Sequence, residues 1–234
     1  MTIPKVIFLD AVGTLFGVKA SVGDVYQTLA QKAGVNASAK QQDKAFYRSF
    51  AAADAMAFPD MPAVEIPHCE YLWWLAIAKN TFQQAGGLSE FSDFEGFFEG
   101  VYQYFATAEP WVVYPDTVSS LQRWQRMDIP LGIISNFDSR IYAVLDALDL
   151  RQYFQTITIS TEARAAKPDP LIFMTALQLY GCSPQEAWHV GDSRKDDLKG
   201  AQAAGLRGIW LKRTNQTKIQ SPLLPSQLAA GANL

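Results

Sequence analysis

Short apolar runs separated by helical segments fill the second half of the chain. Such alternation is typical of parallel βαβ units. Near the N-terminus, Val6-Ile7-Phe8-Leu9 has the composition of a strand that is buried on both faces. The predicted strands are residues 6–9, 131–134, 157–159, 187–190 and 208–211. Together they predict an α/β fold with a doubly wound, Rossmann-like parallel sheet.

A long segment after the first strand has a different pattern. From Ser21 to about Tyr104 the sequence is helical throughout, with no strand pattern. Residues 46–105 contain 15 of the 29 aromatic residues, enough for a helical bundle to have a core of its own. We therefore predict a helical cap domain over residues 17–105. It is inserted into a core domain made of residues 1–16 and 106–234.

Composition restricts the class of partner. The net charge is −3, and the 20 lysines and arginines are scattered, so the sequence predicts no nucleic-acid partner. The longest apolar run, residues 71–78, is too short to span a membrane. Cys69 and Cys182 match no metal-binding spacing, which favours a reducing compartment. We expect a cytoplasmic monomer or homodimer that acts on a small molecule.

Polar residues stand at or beyond the ends of several predicted strands. Asp10 follows the first strand and Ser135 follows the second. Lys167 lies beyond the third, and Asp192 lies just after the fourth. The carboxyl ends of parallel strands meet at one edge of a sheet, where α/β proteins bind their ligands. We therefore expect these four side chains to converge.

The order and spacing of these residues resemble those of a known family. The segments concerned are Asp10-Ala11-Val12-Gly13-Thr14-Leu15, Ser135-Asn136, Lys167-Pro168-Asp169-Pro170 and Gly191-Asp192-Ser193 followed by Asp197. Over nearly its whole length the chain resembles the haloacid dehalogenase-like hydrolase superfamily, in the subclass with a helical cap after the first strand. Within the superfamily, the branch called domain-containing protein 3 is the most similar. The similarity lies in Ile134-Ser135-Asn136-Phe137-Asp138, Ala45-Phe46-Tyr47-Arg48 and Trp73-Trp74.

The resemblance implies a role for each residue. Asp10 is the expected nucleophile, which forms an aspartyl phosphate and divides one displacement into two easier ones. Lys167 and Mg²⁺ would neutralise the phosphoryl charge, while Thr14, Ser135 and Asn136 complete the catalytic set. The expected magnesium ligands are Asp10, Asp192, Asp197 and the backbone carbonyl of Val12.

Val12 departs from the family pattern. Phosphatases of the superfamily normally have a second aspartate there, which protonates the leaving group and activates water. Loss of such a group typically lowers a rate by a factor of roughly 10² to 10⁴. Three hypotheses follow: a magnesium-dependent phosphohydrolase with weakened acid–base catalysis, a non-catalytic or regulatory binding protein, and a 2-haloacid dehalogenase. The first motif favours the dehalogenase, whereas Asp192 and Asp197 are typical of the phosphatases.

Overall fold

The computed structural model of the chain describes residues 3–213. The sequence after Arg213, rich in Pro, Gln and Ser, predicts an irregular tail with one short docking helix. That prediction lies outside the described residues.

A parallel sheet of five strands forms the centre of the molecule, in the order β5-β4-β1-β6-β7. Its strands are β1 (Val6–Leu9), β4 (Leu131–Ser135), β5 (Thr156–Ile159), β6 (Ala187–Gly191) and β7 (Arg207–Trp210). Two further strands, β2 (Phe16–Val18) and β3 (Trp111–Val113), lie outside this sheet. β1 lies between β4 and β6, so that Ile7 is in register with both Leu131 and Trp188. The chain winds outward from β1 through β4 to β5 and then continues on the other side of β1. The predicted doubly wound sheet is confirmed.

Helices cover both faces of the sheet. In β1, Ile7 and Leu9 belong to one apolar core, while Val6 and Phe8 belong to another on the opposite face. The helices of the sheet domain are α5 (Thr117–Arg126), α6 (Ile141–Ala147), α8 (Pro170–Gln178) and α9 (Gly200–Ala203), and a short α7 (Ser160–Ala163) follows β5 directly. Helices α5 and α6 pack into the first core, and α8 and α9 pack into the second. Burial on both faces explains why the strand sequences are continuously apolar.

The helical insertion is also confirmed. It contains α1 (Val22–Lys32), α2 (Ala39–Ala52), α3 (Ile66–Ala85) and α4 (Phe94–Tyr104). The Ser21 hydroxyl accepts a hydrogen bond from the Asp24 amide and so caps α1. Phe82, which is fully buried, stacks on Tyr26 with 5.4 Å between ring centroids and meets Phe94 edge to face at 5.5 Å. The insertion thus has an aromatic core separate from the two cores of the sheet. No helix among residues 3–213 is long and apolar enough to cross a membrane.

A small antiparallel ribbon joins the insertion to the sheet domain and was not predicted. β2 pairs with β3, with Phe16 opposite Val113 and Val18 opposite Trp111. Each strand has three residues, and the whole insertion separates them in sequence. A strand of three residues is too short to show a recognisable periodicity. Its stability comes from pairing with a strand that is distant in sequence.

Candidate active site

Three donors surround the carboxylate of Asp10 at the end of β1. Lys167 Nζ lies 2.8 Å from Asp10 Oδ1, and the Ser135 hydroxyl donates to the same oxygen over 3.0 Å. The Thr14 hydroxyl lies 3.3 Å from Asp10 Oδ2. The Asp10 amide donates to the Val190 carbonyl on β6 over 2.9 Å, which ties the turn to the neighbouring strand. The donors fix the orientation of this buried carboxylate, as a nucleophile requires.

Lys167 stands between two carboxylates. Its ammonium group also lies 2.6 Å from Asp197 Oδ1 and 2.9 Å from the Ile134 carbonyl, so all three of its protons have acceptors. Burial opposes the charge, but the ion pairs with Asp10 and Asp197 outweigh burial and raise the pKa of Lys167 to about 12. A permanent positive charge therefore lies against the candidate nucleophile.

Asp197 is held by three donors of its own. Besides Lys167, His189 Nε2 lies 2.9 Å from Oδ1, and the Ser193 amide donates to Oδ2 over 2.8 Å. Burial alone would raise the pKa of Asp197, but Lys167 and His189 lower it well below its usual range. The ionised carboxylate can only accept, so His189 donates through Nε2–H. Burial also lowers the pKa of His189, which favours the neutral imidazole. His189 is fully buried in β6.

Asp192 is the solvent-facing member of the cluster, and a glycine makes its position possible. Gly13 has a φ of +90°, and a Cβ on this residue would overlap the Asp192 carboxylate. One oxygen each of Asp10, Asp192 and Asp197 lies within 4.8 Å of the others. Burial, followed by repulsion from Asp10 and Asp197, raises the pKa of Asp192 to about 7.

The donor set fits a divalent cation of the Mg²⁺ type. Three carboxylates and one ammonium group leave a net charge of about −2 when all are ionised. The ligands are oxygens only, which suits a hard cation. Asp10 and Asp192 have oxygens available to bind one. Asp197 already accepts hydrogen bonds from Lys167, His189 and the Ser193 amide, and that it also binds the metal stays a prediction.

Asn136 supports Lys167 and does not contact the nucleophile. Its side-chain amide donates to the Lys167 carbonyl over 2.9 Å, and its side-chain carbonyl accepts from the Lys167 amide over 2.7 Å. Both side-chain groups of Asn136 thus bind the backbone of Lys167, and its predicted place in the catalytic set stays a prediction. Asp10, Thr14, Ser135 and Lys167 come together as expected.

Val12 lies half-buried in the turn after Asp10 and packs against the first core of the sheet. It forms an isolated bridge with Phe16, which closes the turn. Its side chain carries no ionisable group and cannot transfer a proton. That its backbone carbonyl binds the metal stays a prediction.

Sequence analysis missed a group of polar contacts between α3 and the loop after β4. Glu70, fully buried, accepts from the Ser139 amide over 3.1 Å. The indole of Trp74 donates to Asp138 Oδ2 over 2.6 Å, and Asp138 also forms a two-pronged ion pair with Arg140. A signal for Glu70 exists in the sequence. It falls on the same helical face as Ile66 and Ile77, where an isolated charge is unusual.

Comparison with known proteins identifies the relatives of this chain. A family model described as haloacid dehalogenase-like hydrolase matches residues 4–205. The haloacid dehalogenase-like hydrolase domain-containing protein 3 of Danio rerio is 30% identical over 94% of this chain and 89% of its own length. A phosphoserine phosphatase of Thermus thermophilus is 27% identical over 89% of each chain. The crystal structure of an L-2-haloacid dehalogenase superposes with a TM-score of 0.71, at 18% identity, over 92% of this chain and 87% of that one. At that identity the last likeness concerns the fold alone.

Proposed function

Since the chain belongs to the haloacid dehalogenase-like hydrolase family, we propose that it is a magnesium-dependent hydrolase of a small phosphorylated metabolite. One observation carries this proposal: Lys167 Nζ contacts both Asp10, at 2.8 Å, and Asp197, at 2.6 Å, with Asp192 beside them. A carboxylate nucleophile, a fixed cation and an acidic cluster are the parts that phosphoryl transfer to a carboxylate needs. The likeness to a phosphoserine phosphatase supports the same reaction class.

In the proposed reaction, an oxygen of Asp10 attacks phosphorus while the bond from phosphorus to the leaving oxygen breaks. The product is an acyl phosphate on Asp10, which water then cleaves to regenerate the carboxylate and release inorganic phosphate. Lys167 would lie against the equatorial oxygens, where negative charge is concentrated. Asp10 and Asp192 would hold the Mg²⁺ ion, which would neutralise the remaining negative charge of the phosphoryl group. We further propose that residues 17–105 act as a cap over this site and confine the substrate.

Val12 narrows the substrate class. With no carboxyl group there, the leaving group must depart with little help from a proton donor. Acyl phosphates and aryl phosphates have stable leaving anions, so we expect turnover of these before that of alkyl phosphates. The same residue favours the second candidate, a binding protein that retains the fold and the acidic cluster without turnover. A cytoplasmic location and the choice between monomer and homodimer remain predictions.

Phosphate release from a panel of acyl, aryl and alkyl phosphates tests the proposal, with Mg²⁺ and with a chelator. We expect release with Mg²⁺ only, and none from the Asp10→Asn variant, whose amide is a poor nucleophile. Asp146→Asn on α6 changes an exposed carboxylate in the same way and should retain full activity. Mass spectrometry of rapidly quenched protein should find a phosphoryl group on the peptide that contains Asp10. Metal-independent release of halide from 2-haloacids would instead identify a dehalogenase. Binding of phosphorylated ligands without turnover would identify the non-catalytic protein.

A further inference from the structure

One buried carboxylate joins the helical insertion to two segments of the sheet domain. Glu70 on α3 accepts from the Ser139 amide over 3.1 Å and from the Ser139 hydroxyl, in the loop after β4. It also accepts from the Thr161 hydroxyl over 2.6 Å, at the start of α7 after β5. Glu70 and Thr161 are fully buried. Movement of α3 away from the sheet would therefore break three hydrogen bonds at once.

The other end of the same loop follows Ser135, a partner of Asp10, and begins with Asn136, a partner of Lys167. Ser135, the last residue of β4, donates to Asp10, and Asn136 binds the backbone of Lys167 on both sides. Ser139 follows three residues after Asn136. The loop is thus attached to the active site through its first residues and to the insertion through its last ones.

A second contact from α3 fixes the middle of this loop. Trp74, one helical turn after Glu70, donates to Asp138, which is fully buried and paired with Arg140. Arg140 in turn donates to the Tyr102 carbonyl over 3.1 Å and lies over the Tyr102 ring. Both α3 and α4 therefore hold the loop in one position.

A carboxylate suits this contact. Three donors converge on Glu70, and a carboxylate offers two oxygens that only accept. A glutamine would keep one acceptor oxygen and turn its NH₂ group towards the Ser139 hydroxyl, which would then have to accept instead of donate. The groups that act on the charge of Glu70 are these neutral donors and the like-charged Asp138. Within residues 3–213 no salt bridge to Glu70 compensates its burial, so the carboxylate is tolerated only while its donors are in place.

We propose that Glu70 is a positioning residue for the reaction: when the insertion is docked, Glu70 fixes the loop 136–140 and thereby places Ser135 and Lys167 around Asp10. This inference rests on the proposed hydrolase function for its kinetic consequences only. The coupling between Glu70 and Lys167 is a property of the folded protein and can be measured without a substrate.

Amide hydrogen exchange, followed residue by residue by NMR, tests the coupling. The Lys167 amide donates to Asn136 and makes no contact with Glu70 among the described hydrogen bonds. In Glu70→Gln we expect the exchange of the Ser139 and Lys167 amides to accelerate about tenfold, while the amides of β1 and β6 keep their protection. A purely structural role would raise exchange throughout the insertion and leave Lys167 unchanged. The matched control is Glu162→Gln, which removes an exposed carboxylate next to Thr161.

Steady-state kinetics with acetyl phosphate or 4-nitrophenyl phosphate and Mg²⁺ test the consequence. We expect kcat of Glu70→Gln to fall roughly 10- to 100-fold with little change in KM, because misplaced groups lower the rate of the chemical step. If Glu70→Gln does not fold, Ser139→Ala and Thr161→Val each remove one donor and should show smaller changes of the same kind. Equal Lys167 exchange in Glu70→Gln and the control would overturn the proposal. Absence of phosphate release in every protein would refute the hydrolase function, while the exchange of Lys167 would still decide the role of Glu70.

Discussion

The carboxylate of Asp192 occupies the space that a side chain on Gly13 would need. The two residues lie on neighbouring strand ends, far apart in sequence, and the φ of +90° at Gly13 turns the backbone so that the carboxylate can approach. Gly13 and Asp192 are therefore required together, because the glycine leaves free the space that the carboxylate fills.

The first prediction concerns Gly13→Ala. The added Cβ would displace the Asp192 carboxylate, so we expect affinity for Mg²⁺ to fall at least about tenfold, with a loss of roughly 1–2 kcal/mol in the free energy of unfolding. Gly34→Ala is the matched control, because Gly34 has a φ of +80° but open space around it. It should share the backbone penalty and keep the affinity for the metal. Calorimetric titration with Mg²⁺ and urea unfolding measure the two effects, and equal metal affinity in the two variants would contradict the role given to Gly13.

The second prediction concerns the ion pair of Lys167 with Asp197. In Asp197→Asn, Lys167 retains Asp10 but loses a buried partner at 2.6 Å, and removal of one partner from a buried pair typically costs roughly 3–5 kcal/mol. The substitution also removes the repulsion of Asp197 by Asp10 and Asp192, which opposes this loss. We therefore expect the free energy of unfolding to fall by about 3 kcal/mol. Asp196→Asn makes the same change on the adjacent residue, whose carboxylate accepts from the Ser193 hydroxyl, and should cost about 0.5 kcal/mol. Urea unfolding gives both values. A loss in Asp197→Asn no larger than that of Asp196→Asn would mean that Asp197 does not hold Lys167.

The third prediction is a pH dependence of stability that comes from Glu70. Burial raises the pKa of this carboxyl above its ordinary value of 4.5, although the hydrogen bonds from Ser139 and Thr161 oppose the shift. The folded state then binds the proton more tightly than the unfolded state. The contribution of Glu70 to the free energy of unfolding must therefore decrease as pH rises from 4.5 through the raised pKa.

Glu70→Gln cannot titrate, so the difference in unfolding free energy between the natural protein and this variant should decrease over that range. The change amounts to about 1.4 kcal/mol for each unit by which the pKa is raised. Urea unfolding at a series of pH values measures it, and other ionisable groups largely cancel in the difference. A difference that is constant or increases with pH would show that burial does not dominate at Glu70.

The strand ends could be predicted from the sequence because their signal is local. Asp10, Ser135 and Asp192 each stand at the end of a continuously apolar run, and parallel strands bring such ends together whatever the details of packing. Lys167 does not follow a strand directly, but it lies beyond the third predicted strand and was expected at the same edge of the sheet. The residues that surround Asp10 could thus be predicted from the sequence.

Contacts between the insertion and the sheet domain could not be predicted in the same way. Glu70 and Thr161 are 91 residues apart, and nothing local to α3 indicates which loop its carboxylate will meet. The link between His189 and Asp197 joins a strand to a π-helical segment, Arg194–Lys199, where the ordinary helical spacing does not hold. Such pairs are decided by how the insertion docks and by backbone irregularity, which a single sequence does not specify.

The fourth prediction concerns Val12, which stands where the family resemblance leads us to expect a second aspartate. In Val12→Asp, the new carboxyl group lies in the turn two residues after Asp10, where it can protonate the leaving oxygen. We expect the rate on alkyl phosphates to rise by a factor of roughly 10² to 10⁴, with only a small gain on acyl phosphates, whose leaving anions need no proton. Phosphate release from matched alkyl and acyl phosphates measures the two rates.

Val12→Asn separates proton transfer from the other consequences of this substitution. Asparagine has nearly the size and polarity of aspartate at this half-buried position but supplies no acid. If acid–base catalysis is what the natural protein lacks, Val12→Asn leaves the alkyl phosphates as slow as before, and the ratio of alkyl to acyl rates rises in Val12→Asp alone. An equal gain in both variants would attribute the effect to polarity or solvation at the turn. No gain in either would mean that Lys167 and the acidic cluster around Asp10 are not arranged for phosphate esters, and the pocket would then have to serve a different reaction or binding alone.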